Sequence, residues 1–151
     1  MDRIIACKVR LHCGVQRAYE MFTVNEDLQS WLTNLAEVEP EVGGRYELFW
    51  DLADWENAST IGCKITAIEP DKFLSFEWKG PPQFKYFMNS ADPLTHVTVF
   101  FIPCDEIFTP CTDVYLIHSG WRDTLAWEEA RQWHARTWED AFANLRSLIN
   151  R

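Results

Sequence analysis

The sequence predicts an α+β fold in which a curved antiparallel sheet wraps one long C-terminal helix. Three observations carry this. Residues 125–150 keep a helical apolar stripe with no Pro or Gly, the chain before them breaks into short alternating stretches, and no linker, repeat or low-complexity tract divides the 151 residues. A single domain spanning residues 1–151 is therefore expected. In the terminal run, Trp127, Ala130, His134, Trp138, Ala141, Phe142, Leu145, Leu148 and Ile149 recur at steps of three and four, on one stripe of a 3.6-residue helix. At about 1.5 Å per residue, Leu125 to Asn150 makes a rod of roughly 39 Å. A stripe that long needs a large partner surface, and the strand-rich segment before it is the candidate.

Ahead of this rod, Arg3 to Leu11 alternates as a strand with Ile5, Cys7, Val9 and Leu11 on one face, ended by Gly14. Val15 to Phe22 carries Val15, Ala18, Tyr19 and Phe22 at helical spacing. Asn25 is placed to cap a second short helix, Glu26 to Leu32. Ala36 to Glu39 reads as a strand, and Gly43-Gly44 turns the chain into Arg45 to Asp51, where Tyr46, Leu48 and Trp50 share a face. A polar loop, Asp51 to Asn57, leads to a strand over Ala58 to Glu69. Lys72 to Lys79 sets Leu74, Phe76 and Trp78 against Ser75, Glu77 and Lys79. Gly80-Pro81-Pro82 breaks it. Gln83 to Asp92 holds Phe84, Tyr86, Phe87 and Met88 without clean periodicity, and so much apolar surface predicts a flap folded over something. Thr95 to Ile102 and Thr112 to Ser119 form a hairpin with its loop over Pro103 to Cys111. Asp123 or Thr124 can cap the final helix.

Composition narrows the partners. The net charge is −9 and the 14 Lys and Arg form no run, which argues against nucleic acid and against an acidic membrane surface. Five cysteines, an odd number, with no secretion signal at the start, point to the cytoplasm. Cys104 and Cys111 flank the hairpin loop and could approach each other if oxidised, but the expected compartment argues against a disulfide. Both faces of the Thr95–Ser119 hairpin are apolar: Val97, Val99, Phe101, Val114, Leu116 and His118 on one side, Phe100, Ile102, Tyr115 and Ile117 on the other. A one-sided sheet shows polar residues to solvent, so the outer face is expected to be covered, with a homodimer as the favoured cover.

Several short motifs, in order and nearly end to end, resemble one family. Val15-Gln16-Arg17-Ala18-Tyr19 followed by Trp31 resembles "P-V-x-x-V-W … L-x-x-W". Val38-Glu39-Pro40-Glu41-Val42-Gly43-Gly44-Arg45-Tyr46 resembles "V-E-x-x-x-G-G-R-F". Ile68-Glu69-Pro70 with Leu74-Ser75-Phe76-Glu77-Trp78 is similar to "V-x-P-x-x-x-L-x-F-x-W". His118-Ser119-Gly120-Trp121 and the Trp138, Phe142, Leu145 spacing are similar to "H-S-G-F" and "G-W-x-x-x-L-x-x-L". These belong to proteins related to the C-terminal domain of the Hsp90 ATPase activator, within the START/Bet v 1-like (SRPBCC) superfamily. The resemblance implies a helix-grip fold, often with a cavity between sheet and helix. Thr137 departs from the family's usual Gly before the Trp, and Gln83 to Pro93 is richer in aromatics than the usual loop.

Eight Trp, ten Phe and four Tyr exceed what a core of this length needs, and broad rings with one hydrogen-bonding atom suit a pocket for an apolar molecule. The expected ligand-binding residues are Tyr46, Trp50, Phe76, Trp78, Val99, Leu116 and Trp138, with Phe84, Tyr86 and Phe87 as a lid. His118 and His134 face the same interior and can orient a ligand hydroxyl or move a proton. The plainer reading is that the rings fill the sheet–helix interface and the histidines are satisfied core residues. Glu47, Glu77 and Asp113 fall on the opposite strand faces, away from both histidines. No Ser-His-Asp order, phosphate loop or zinc spacing is present, and alternation separates His12 from Cys7 and Cys13; no catalytic residue, metal or cofactor is expected. A carrier or sensor of a hydrophobic small molecule is favoured. A polyketide cyclase or aromatase-like enzyme is the alternative, and an Hsp90-type co-chaperone ranks third, because the eukaryotic activator carries an additional N-terminal domain for which this sequence has no residues to spare.

Overall fold

The computed structural model describes residues 3–104 and 109–151. Strands β1 (Ile5–Leu11), β4 (Ile65–Glu69), β5 (Phe73–Trp78), β6 (Thr95–Cys104) and β7 (Cys111–Ser119) form one antiparallel sheet in the order β1-β7-β6-β5-β4. A two-stranded ribbon, β2 (Leu35–Val38) with β3 (Tyr46–Phe49), continues it beyond β4. Tyr46 N–H donates to Cys63 O at 2.9 Å and Ile65 N–H to Gly44 O at 2.9 Å, so the ribbon is stitched to the sheet by backbone. Helices α1 (Val15–Thr23) and α2 (Asn25–Trp31) come after β1, a short α3 (Lys85–Met88) after β5, and α4 (Leu125–Ile149) closes the fold. This is the helix-grip arrangement.

The periodicities decide what is buried. Leu74, Phe76 and Trp78 on β5, Val97, Val99 and Phe101 on β6, and Val114, Leu116 and His118 on β7 all face inward. Against them lie Trp127, Ala130, His134, Trp138, Ala141, Phe142 and Leu145 of α4. Thr124 caps that helix, its hydroxyl accepting from Trp127 N–H at 3.2 Å. At the far end Asn150 ties α4 to the close of β1: its Nδ2 donates to Arg10 O and its Oδ1 accepts from His12 N–H. Tyr46 is fully buried, stacks on Phe76 at 3.8 Å and donates its hydroxyl to Phe22 O at 2.7 Å, which ties the ribbon to α1.

Four expectations change. The strand expected over Ala58 to Glu69 starts only at Ile65, because Gly62 turns the chain at a φ of +89°, which side-chain-bearing residues rarely adopt. Asn25 does not cap α2. Its Oδ1 accepts from Val38 N–H at 2.9 Å, and Gln29 Oε1 takes Ala36 N–H at 3.1 Å, so α2 satisfies the outer edge of β2. Cys104 and Cys111 are joined: they form the last pair of the β6–β7 ladder, with Cα atoms 5.3 Å apart. The ladder register, which sequence alone did not supply, brings the two thiols face to face. Part of the expected Pro103 to Cys111 loop lies outside the described residues.

The fourth change concerns the flap. Phe84 and Met88 are buried, and Phe84 packs on Trp133 at 5.9 Å while Phe87 packs on Trp127 at 5.0 Å. The flap, expected as a lid over the pocket, packs instead on the first half of α4. Close approach makes this possible, since a Cβ on Gly80 would sit 2.6 Å from Met88 Sδ. The hairpin's outer face stays open, with Phe100 41% and Ile102 48% exposed.

Candidate ligand-binding site

A cavity of about 310 Å³ lies between the sheet and the middle of α4. Its walls come from four places. The helix supplies His134, Trp138 and Ala141 from its buried stripe and Trp133, Thr137 and Asn144 from the flank beside it, with Asp140 at the rim. The sheet supplies Trp78 from β5 and Trp50 from just beyond β3. Trp31 and Leu32 come from the end of α2, and Ala58, Ser59 and Lys79 to Pro82 close the remaining side. The interior is dominated by indole rings, with Trp78 5.1 Å from Trp138 and 5.7 Å from Trp50. Trp50 is fixed by donating its Nε1 hydrogen to Leu32 O at 2.8 Å, and Trp31 by donating to Met21 O at 2.9 Å.

Of the residues expected to bind ligand, Trp50, Trp78, His134 and Trp138 line this cavity. Tyr46, Phe76, Val99, Leu116 and His118 are buried behind the wall as core. Tyr86 is 73% exposed, and Phe87 packs on Trp127, so neither closes over the cavity. Gly80, Pro81 and Pro82 do line it, although in the sequence they read only as a strand breaker. Trp133 escaped the stripe count because it sits one residue before His134. The aromatic surplus itself was the available signal for both Trp133 and Trp31.

The two histidines are 5.6 Å apart, centroid to centroid, and differ in their bonding. An indole N–H can only donate, so the 3.1 Å bond from Trp138 Nε1 makes His118 Nδ1 an acceptor. Its proton is then on Nε2, 3.1 Å from Thr95 Oγ1. His118 is thus satisfied on both sides and neutral, and burial, with His134 beside it, holds it well below the usual histidine range. His134 Nδ1 donates to Ala130 O at 2.8 Å, which leaves a bare lone pair on Nε2. Burial pushes its pKa down to about 4, against a smaller opposing pull from that backbone bond. Two buried nitrogens in the wall residues have no protein partner: His134 Nε2, an acceptor, and Trp78 Nε1, a donor.

Among the described residues no acidic side chain is hydrogen-bonded to either histidine. Asp113 holds Arg10 at 2.8 and 3.0 Å, Glu77 accepts from Lys64 N–H and Glu47 from Gly62 N–H. Among the described residues no group of His, Cys, Asp and Glu is arranged to hold a metal ion. Nor is any helix among them long and apolar enough to cross a membrane.

A long helix gripped by a bent antiparallel sheet, with an aromatic cavity in the grip, places the chain among helix-grip proteins, consistent with the SRPBCC superfamily. Within that class, residues 12–150 match the family described as Activator of Hsp90 ATPase homolog 1-like protein, and the chain belongs to it. No curated protein sequence matches closely enough to serve as a relative. Among solved structures the chain is similar to a Mesorhizobium loti protein at 21% identity, with a TM-score of 0.72 over 98% of this chain and 97% of the other. It is also similar to an HSP90 activator from Plasmodium falciparum, at 20% identity and a TM-score of 0.68 over 97% and 96% of the two chains. A third is the Aha1 dimer from Colwellia psychrerythraea, at 17% identity and a TM-score of 0.67 over 97% and 96%. At these identities the likeness is one of fold.

Proposed function

We propose that the chain binds a small hydrophobic molecule in the cavity between sheet and α4, as a carrier or sensor. What carries this reading is the hollow of about 310 Å³ walled by Trp31, Trp50, Trp78, Trp133 and Trp138, a size at the low end of ligand pockets. Rings that only filled a core would leave no such space. A hydrophobic dye or a fatty-acid-like probe is expected to bind saturably, at one per chain, in isothermal titration. Thr137 lines the mouth from the exposed side of α4, so Thr137→Phe sets a ring in the opening. It is expected to weaken binding about tenfold or more, a difference of roughly 1.4 kcal/mol, with little change in unfolding midpoint. A mixed panel that gives no saturable signal would remove the carrier reading.

We further propose that two copies associate through the outer face of the hairpin. Phe100 and Ile102 are exposed there, Phe73 lies 6.5 Å from Phe100, and Tyr115 and Ile117 continue the patch across β7. The dimer formed by the Colwellia psychrerythraea protein is a precedent within the fold. Sedimentation at tens of micromolar, roughly the range for a standard-sized interface, is expected to give a dimer that Phe100→Lys dissociates. A monomer of the unmodified chain under those conditions would end this proposal. We place the protein in the cytoplasm because three of its five cysteines are free thiols. The Cys104–Cys111 bridge weighs against that placement, since disulfides are rare in reducing compartments.

A further inference from the structure

We propose that the cavity's ligand carries a neutral polar group that accepts one hydrogen bond and donates another, such as a hydroxyl on an aromatic body, held between Trp78 Nε1 and His134 Nε2. This rests on the cavity reading above and specifies what the cavity prefers. Nearly all buried polar atoms in folded proteins have partners, and these two stand together as exceptions in one wall. Both side chains are at least nine-tenths buried, with exposures of 5% for Trp78 and 2% for His134. Their ring centroids lie 6.5 Å apart at 83°, and both residues line the one cavity.

The two atoms ask for opposite things. Trp78 Nε1 carries a hydrogen and can only donate. His134 Nε2 can only accept, because the ring's one proton is committed to Ala130 O. A hydroxyl answers both with a single oxygen, and a primary amide with two atoms. A ketone or ether serves Trp78 and leaves the histidine lone pair orphaned. A carboxylate has no hydrogen to offer His134, and an ammonium has no lone pair for Trp78.

Charge points the same way. The rings packed round the pair are Trp50, Phe76, Phe84, Trp121, Trp133, Trp138 and the neutral His118, none of which offsets an ion. The charged members of the wall are Lys79, which donates to Ile61 O at 2.6 Å, and Asp140 at the rim. Burying an ion among indoles without a partner is strongly unfavourable.

The test is isothermal titration at neutral pH with naphthol, its methyl ether, naphthalene and naphthoate, four probes of similar flat body. Naphthol is expected to bind about tenfold or more tighter than the ether, as sites with unpaired polar groups discriminate against analogues that lack the matching hydrogen. Naphthoate is expected to bind most weakly. His134→Phe removes the acceptor that only the hydroxyl can serve and is expected to bring naphthol and ether within about twofold of one another. Trp78→Phe keeps a ring but removes the donor that both oxygens use, so it is expected to shrink the advantage of both over naphthalene and leave naphthol ahead of the ether. If naphthol, ether and naphthalene bind the unmodified protein equally, the hydroxyl inference is overturned while the cavity reading stands. If none of the four binds saturably, both are overturned. Should either variant fail to fold, the comparison on the unmodified chain still decides.

Discussion

Trp138→Ala is expected to destabilise the protein by about 3–5 kcal/mol, the cost typical of deleting a large aromatic side chain from a core. The ring is 3% exposed and packs against Trp78 at 5.1 Å and Phe142 at 6.3 Å, so its removal leaves a hole that joins the existing cavity. It also strips His118 Nδ1 of its donor, leaving a buried acceptor unpaired, which adds to the loss. Trp138→Phe separates the two contributions, because most of the ring remains while the N–H is gone. Urea denaturation followed by far-ultraviolet circular dichroism measures both variants. A loss below about 1 kcal/mol for the alanine variant would show that the helix and sheet do not depend on the ring that joins them. Trp78→Ala removes a ring of the same central cluster and belongs in the same range.

Acidification from neutral pH is expected to cost stability well before the carboxylates titrate. His134 is neutral in the folded protein, and its pKa falls from 6.5 to about 4 through burial. Between those values the unfolded chain takes up a proton that the folded chain refuses. Stability is therefore full above about pH 6.5 and falls as pH drops towards about 4, at up to about 1.4 kcal/mol per pH unit. His134 alone accounts for about 2 kcal/mol by pH 5. His118, lowered well below its usual value by burial and by the nearby His134 and His96, and His96, lowered by burial, act in the same direction. The ion-paired carboxylates have the opposite history. Glu128, held down to about 2 chiefly by its bond to Arg131, and Asp113, held low by Arg10, lose their contribution only below the ordinary carboxylate range. The interval between about pH 6.5 and pH 5 thus isolates the histidines. Denaturation midpoints that stay flat across it would mean that the histidines titrate freely and are not buried neutral.

The same pair of histidines shows how far the sequence could be read. Period-two alternation placed His118 on the inner face of its strand, and helical spacing placed His134 on the stripe, so their meeting could be foreseen. Which of them keeps a free lone pair could not. That depends on Trp138 approaching His118 and on Ala130 lying one turn before His134, and only the first of these is a tertiary contact. The inward positions of Tyr46, Phe76, Val99 and Leu116 were equally legible, yet they turned out to be core. An inward-facing ring lines a cavity only where sheet and helix diverge, and that separation is set by every side chain between them.

Local chemistry misled where a side chain had a distant alternative. Asn25 has the composition of a helix cap, but the edge of β2 competes for its oxygen and takes it. Gly80-Pro81-Pro82 marks a strand end in any context, and its second use as a cavity wall comes from the flap folding back over α4. Cys104 and Cys111 were weighed by compartment, whereas the ladder register set them opposite each other.

The sequence by itself determined the order of the seven strands and of α1, α2 and α4, the buried face of β1, β3, β5, β6 and β7, and the grip on α4, because periodicity of three to four or of two fixes which side of an element must leave water. Only the tertiary structure decided where the grip is hollow, which polar atoms stay unpaired inside it and which surface stays open. Those depend on distances between elements far apart in the chain, and no local pattern encodes them.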